Sequence, residues 1–182
     1  GRDATAALSQ AQTSATAKYY LEEHLILNLL ANRQESEALV LLTGLVERNE
    51  PRMAPLRILA AQHFWAKNDA ETARQILKFQ SSGAEQRLHQ QIDADQQQGV
   101  GQKVTPSIGL AFLFQRLSSD VAVQRAEFLS QVLAQASTRI ADKSDYAHLT
   151  LGRAYATADS HDLAVAELSD RAEFGDRQSR RK

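Results

Sequence analysis

The sequence predicts an all-α chain of antiparallel helix pairs, and three observations predict it. Apolar residues recur at steps of three and four along most of the chain, and no segment alternates convincingly with period two. Good helix formers dominate, with only three prolines and eight glycines to interrupt them in 182 residues. A set of apolar and small positions returns at a fixed interval, the signature of a repeated helical hairpin. The expected content is about eight to nine helices of ordinary length.

Asp3 to Lys18 is rich in Ala, Ser, Thr and Gln, so a helix capped by Asp3 would pack weakly there. From Tyr19 the stripe Tyr20, Leu21, Leu25, Leu29 and Leu30 predicts an amphipathic helix. A second begins after Ala31-Asn32-Arg33, buries Ala38, Leu41, Leu42, Leu45 and Val46, and ends at Pro51. The third runs from Ala54 to Lys67 with Leu56, Leu59, Ala60 and Phe64 inward. Asn68 then suits a left-handed C-terminal position and Asp69 the next N-cap. A fourth presents Ala70, Ala73, Ile76 and Leu77 and stops at Ser81-Ser82-Gly83.

Ala84–Gln97 is mostly polar and predicts a surface helix, with Gln96–Gly101 the clearest breaker. Thr105 as N-cap and Pro106 as first helical residue open a helix that is apolar nearly all round from Ile108 to Phe114. A strand is the alternative there. Another helix spans Val121–Thr138 on the stripe Ala122, Ala126, Leu129, Leu133 and Ala136, flanked by Val132. One more follows from Asp145 and a last from His161. The resulting division is a polar segment at 1–18, two hairpins at 19–80, a divergent helical region at 81–144 with a loop at 96–105, a hairpin at 145–172, and a basic tail at 173–182.

The repeat is read from three sets. Leu25, Leu29, Ala38 and Leu42 form the first; Ala60, Phe64, Ala73 and Leu77 form the second at an offset of 35 residues, from 25 to 60 and from 38 to 73. Leu151, Gly152, Tyr155, Ala164 and Leu168 form the third with the same internal spacing. This pattern resembles the tetratricopeptide repeat, which has a period of about 34 residues. Leu151-Gly152, Tyr155, Ala164 and Leu168 carry the resemblance best, because Ile26 and Ala61 replace the glycine in the other two sets. The resemblance implies a short solenoid, an α-α superhelix of stacked pairs in which the alanine allows close approach and the aromatic and leucine fill the wedge. The region 81–144 fits the period poorly, and a non-repeat helical bundle is the alternative.

The chemistry-bearing residues form no recognisable catalytic pattern. There is no cysteine, which excludes disulfides, thiolate metal sites and a cysteine nucleophile. The five histidines, His24, His63, His89, His148 and His161, show no HExxH spacing. Glu85/His89 and Asp145/His148 can share a helix face, but no ExxH is present to build a carboxylate-bridged metal site. Glu22-Glu23-His24 point in different directions on a helix, and Ser160 before His161-Asp162 reads as an N-cap. Gly99-Val100-Gly101 lacks the strand and third glycine of a phosphate cradle. No cofactor and no catalytic or metal residue is expected.

A net charge of −1 gives no sign of a nucleic-acid or membrane partner, and no run approaches the length of a membrane span. The basic tail, Arg177, Arg180, Arg181 and Lys182, reads as solvated. The chain opens Gly1-Arg2-Asp3 with Met53 its only methionine, which reads as a fragment of a longer protein or a chain whose leader was removed. Both cytoplasmic and extracytoplasmic compartments are compatible.

The tetratricopeptide resemblance implies a partner groove lined by the first helix of each pair. The matching positions are Tyr20, Glu23 and Leu27, then Ile58, Gln62 and Trp65, then Tyr146, Leu149 and Arg153. The alternative for Tyr20 and Trp65 is burial against the next helix. Lysine and asparagine are missing from these positions, which argues against a carboxylate clamp and for a mixed apolar groove. The expected function is a non-enzymatic adaptor binding a protein or peptide segment. The Ala/Gln/Arg-rich, lysine-poor composition resembles bacterial repeat proteins of secretion and envelope assembly. The rival readings are a regulatory or accessory domain of a larger enzyme or membrane-embedded complex, and a small-molecule sensor with Ile108–Phe114 lining a pocket. An open apolar edge on a terminal repeat also invites self-association.

Overall fold

The computed structural model describes residues 15–79, 82–94, 101–142 and 144–169, and all regular structure among them is helical. The helices are α1 (Ala15–Ala31), α2 (Glu35–Arg48), α3 (Ala54–Trp65), α4 (Ala70–Ile76), α5 (Gly83–Ala94), α6 (Pro106–Val123), α7 (Glu127–Ile140), α8 (Asp145–Thr157) and α9 (161–169). They fall into two compact units, the first ending at Gly109 and the second starting at Leu110. Asp3, Ser81, the run Gln96–Val100 and the basic tail lie outside the described residues.

One turn recurs between paired helices. Arg33, Asn68, Arg125 and Asp159 all sit in the left-handed region, at φ 62°, 64°, 60° and 55°. After each, an amide closes back on the preceding helix: Gln34 to Leu29 O at 2.9 Å, Asp69 to Phe64 O at 3.0 Å, Ala126 to Val121 O at 3.0 Å and Ser160 to Tyr155 O at 2.9 Å. These are the long bonds of a Schellman ending, which satisfies carbonyls that the helix leaves open. Asp69 then caps α4 by accepting from the Thr72 amide at 3.1 Å, as its position predicts.

The third of these turns divides the stretch Val121–Thr138, which the periodicity joins into one helix. The chain stops at Val123, turns through Arg125 and restarts at Glu127, which resets the helical phase. The buried side of α7 is therefore Ser130, Ala134 and Ser137, while Leu129 and Val132 of the expected stripe are 47% and 43% exposed. Measured from its turn, the α6/α7 pair carries the same register as the others. Leu117 and Ser118 stand where Leu25 and Ile26 stand in α1, and Ser130 and Ala134 stand where Ala38 and Leu42 stand in α2. Region 81–144 thus contains a fourth hairpin of the same construction. Its seam is polar: Ser118 Oγ donates to Ser130 O at 2.9 Å, and Ser137 Oγ donates to Ala111 O at 3.1 Å. In the α8/α9 pair, a Cβ on Gly152 would stand 2.9 Å from Leu168 Cγ, so the glycine opens the seat that this leucine fills.

One other boundary differs from expectation: α2 ends on Asn49, left-handed at φ 46°, and Pro51 instead starts the 3-10 turn Pro51–Met53 that leads into α3. Ile108–Phe114 is helical, as the Thr105-Pro106 start implies, and not the alternative strand; Thr105 Oγ1 accepts from the Ile108 amide at 3.3 Å.

In the first unit α3 packs against α1, α4 and α5, and nine of its side chains are buried, including Leu56, Leu59, Ala60 and Phe64. α5 is the surface helix its composition suggests over most of its length, but one face, Glu85, Leu88 and Ile92, is enclosed. Arg57 Nε donates to Glu85 Oε1 at 2.7 Å, with the two side chains 2% and 0% exposed. Ser82 Oγ also donates to Glu85 Oε2 at 3.0 Å and accepts from the Glu85 amide at 3.2 Å, while Arg57 Nη1 donates to Glu50 O at 3.3 Å. The carboxylate is thus held from both sides and ties α5 to α3. We expect Glu85→Ala to cost about 3–5 kcal/mol, because it strands a buried guanidinium, whereas Arg57→Met/Glu85→Leu should be neutral or stabilising. Chemical denaturation of the three proteins checks this.

Candidate functional site

Of the nine positions expected to line a groove, three are enclosed. Six lie in the first unit and three, Tyr146, Leu149 and Arg153, in the second. Glu23 and Leu27 are fully enclosed and Trp65 is 7% exposed, so all three belong to the interior of the first unit. The reason is the packing of α1, α4 and α5 around α3, which leaves few free positions on that helix. Ile58 and Gln62 are half-buried, as is Tyr20, whose ring lies 5.5 Å from the Arg52 guanidinium carbon. Leu149 and Arg153 are exposed and Tyr146 is half-buried.

The histidines are each placed differently. His89 pairs with Asp93 at 3.1 Å, and its sequence neighbour Glu85 serves Arg57 instead. His148 contacts the Glu167 carboxylate and, through Nε2, Asp142 O at 2.8 Å. His161 is exposed beside Asp159 at 3.8 Å. Among the described residues, no three His, Cys, Asp or Glu side chains converge as metal ligands, and no helix is long and apolar enough to cross a membrane.

Two concave sites in the first unit were not foreseen. The first is a groove of about 250 Å³ between α1 and α2. Leu25, Ile26 and Leu45 line it together with Val40 and Leu41, which are 74% and 38% exposed. Glu22 and Arg48 border it and pair at 2.9 Å. Gly44 keeps it open, since a Cβ there would meet nothing within 4 Å.

The second is a cleft of about 410 Å³ where the ends of α1 and α3 meet the starts of α2 and α6. Its lining mixes Leu30, Val104 and Pro106 with Arg33, Glu35, His63, Lys67, Lys103 and Thr105. Gly101 makes it: a Cβ there would stand 2.0 Å from Gln62 O, so only glycine lets the incoming strand of loop run against the end of α3. That approach brings the Val104 amide 2.9 Å from His63 Nδ1, and the amide donates. The ring proton is therefore assigned to Nε2. Nε2 makes no hydrogen bond; the nearest carboxylate oxygen, Glu35 Oε1, is 3.7 Å away and is taken by the Lys67 ammonium.

No family model, no curated protein and no solved structure matches the chain.

Electrostatics follow from this geometry. Burial pushes the His63 pKa below the ordinary 6.5; Glu35 opposes the shift, and Lys67 and Lys103 reinforce it. Burial would raise the Glu35 carboxyl, but the Lys67 hydrogen bond, its own backbone amide and nearby positive charge hold it below the usual value. His24 is likewise lowered by burial. Both imidazoles stay neutral in the fold while the unfolded chain takes up protons below pH 6.5, so stability is full above that value and falls as the pH drops beneath it. We expect denaturation midpoints to show this loss, and His63→Gln to flatten it without abolishing it, since His24 still titrates.

Proposed function

We propose that the chain is a non-enzymatic interaction module that holds an apolar segment of a partner protein in the groove between α1 and α2. The observation that carries this reading is the groove itself: an apolar floor, two exposed aliphatic side chains and a charged border. That is the arrangement by which helical surfaces receive the apolar anchors of an amphipathic segment. At about 250 Å³ the groove is smaller than the roughly 300–1,000 Å³ of small-molecule pockets, which favours inserted side chains over a metabolite. The recurrent hairpin, with spacings like those of tetratricopeptide repeats, supports an adaptor or scaffold role as well. Carried over to this geometry, Val40, Leu41 and Gly44 take the place of Leu27 and Trp65 as the residues to probe.

A Cβ at position 44 meets nothing within 4 Å, so Gly44→Leu extends a side chain from the groove's own lining, and leucine suits a helix better than glycine. Val40→Lys places a charge on its wall. We expect affinity capture from the native cell extract to retain a discrete partner on the wild type and lose it on both variants, with thermal stability undiminished. Equal capture by all three proteins would remove the groove from the account.

A further inference from the structure

We propose that the cleft at His63 is a binding site for a small organic acid, with the carboxylate at His63, Arg33 and Lys103 and a short apolar body against Leu30, Val104 and Pro106. This inference is independent of the groove between α1 and α2.

Four features combine. The His63 side chain is 4% exposed, lines the cleft and carries on its enclosed Nε2 an N–H whose nearest carboxylate, Glu35 Oε1, stands 3.7 Å away, beyond hydrogen-bond distance. A buried donor without an acceptor is costly, and such groups mark places where a ligand or water completes the bonding. Its tautomer is fixed from behind by the Val104 amide, so the enclosed Nε2 carries a donor and not an acceptor. The charge balance is positive. Arg33, Lys67 and Lys103 face a single carboxylate, Glu35, which Lys67 already engages, and neither Arg33 nor Lys103 makes an ion pair among the described residues.

The chemistry selects a carboxylate over a phosphate. The start of α6 offers few amides, because Pro106 has none and the Ile108 amide is taken by Thr105 Oγ1 at 3.3 Å. Backbone amides at a helix start, which favour phosphate, are reduced here by these two positions. One imidazole N–H and two flexible cations suit the two oxygens of a carboxylate. The volume of about 410 Å³ and the apolar lining leave room for a short hydrocarbon body, within the usual range for small-molecule sites.

The test is an NMR titration of the 182-residue chain with sodium hexanoate, hexanamide, N-acetyl-leucine and inorganic phosphate, following the His63 ring and the Val104 amide. Hexanoate should bind saturably and shift both signals, while hexanamide should not. Arg33→Asn/Lys103→Ala removes two solvent-facing cations, and Asn suits the left-handed position at 33. This variant should keep the melting temperature and weaken hexanoate at least about tenfold, as expected for loss of charge-assisted bonds. The proposal is overturned if hexanoate leaves His63 and Val104 unmoved, if hexanamide binds equally, or if the double variant binds as well as the wild type. Tighter binding of phosphate would assign the cleft to phosphate esters and overturn the proposal. Binding of N-acetyl-leucine alongside hexanoate would support it, because both join a carboxylate to a short apolar body.

Discussion

Close approach of paired helices, enforced by one small residue at a fixed distance from one recurrent turn, is the constraint on which the rest depends. Ala38, Ala73, Ser130 and Ala164 stand at the same step after the turn, and they are 0%, 0%, 2% and 6% exposed. Helix separation follows the side chains at the contact, so a small residue at the crossing sets how near the partner comes. The left-handed residue of the turn fixes register, and the small residue fixes spacing. Arg33 does both structural and chemical work, because the conformation that closes the α1/α2 turn also places its side chain on the cleft.

Within the first unit, polar groups buried around α3 decide where its neighbours sit. Arg57 faces Glu85 on α5, and His63 faces the Val104 amide at the entry to α6. Each is a specific pairing that an apolar contact would not supply. Hydrophobic burial of Leu56, Phe64 and Leu77 brings the helices together, whereas these bonds choose one arrangement among those of similar apolar burial. The cleft is a by-product of the second pairing: the loop had to come close, glycine allowed it, and a buried ring nitrogen was left without a hydrogen bond.

Much of the fold was legible because helical periodicity is local. The helix over Tyr20–Leu30, the Asn68-Asp69 turn and the Thr105-Pro106 start are all read from a few neighbouring residues and are found there, although Glu23, Ile26 and Leu27 and not Tyr20, Leu21 and Leu25 are the enclosed partners of Leu29 and Leu30. The fourth hairpin was hidden by its chemistry. Its left-handed residue is Arg125, which no propensity marks, and its seam is built from Ser118 and Ser130, which read as solvent-facing until their mutual hydrogen bond is seen. The exposed apolar side chains Leu129 and Val132 then drew the stripe to the wrong side of α7. Glu85 was misread for the same reason, since its partner Arg57 lies far away in sequence. The cleft was illegible because Gly101 meets Gln62, and Val104 meets His63, only in three dimensions, and the groove because it needs the absence of a side chain at Gly44.

The most direct measurement is native-state hydrogen exchange at the four closing amides, Gln34, Asp69, Ala126 and Ser160. If one hairpin design repeats through both units, all four should be protected to a degree comparable with amides inside their own helices, Ala126 included. Free exchange at Ala126, with its neighbours in α6 and α7 protected, would mean that α6 and α7 are not joined by this turn and would contradict the account.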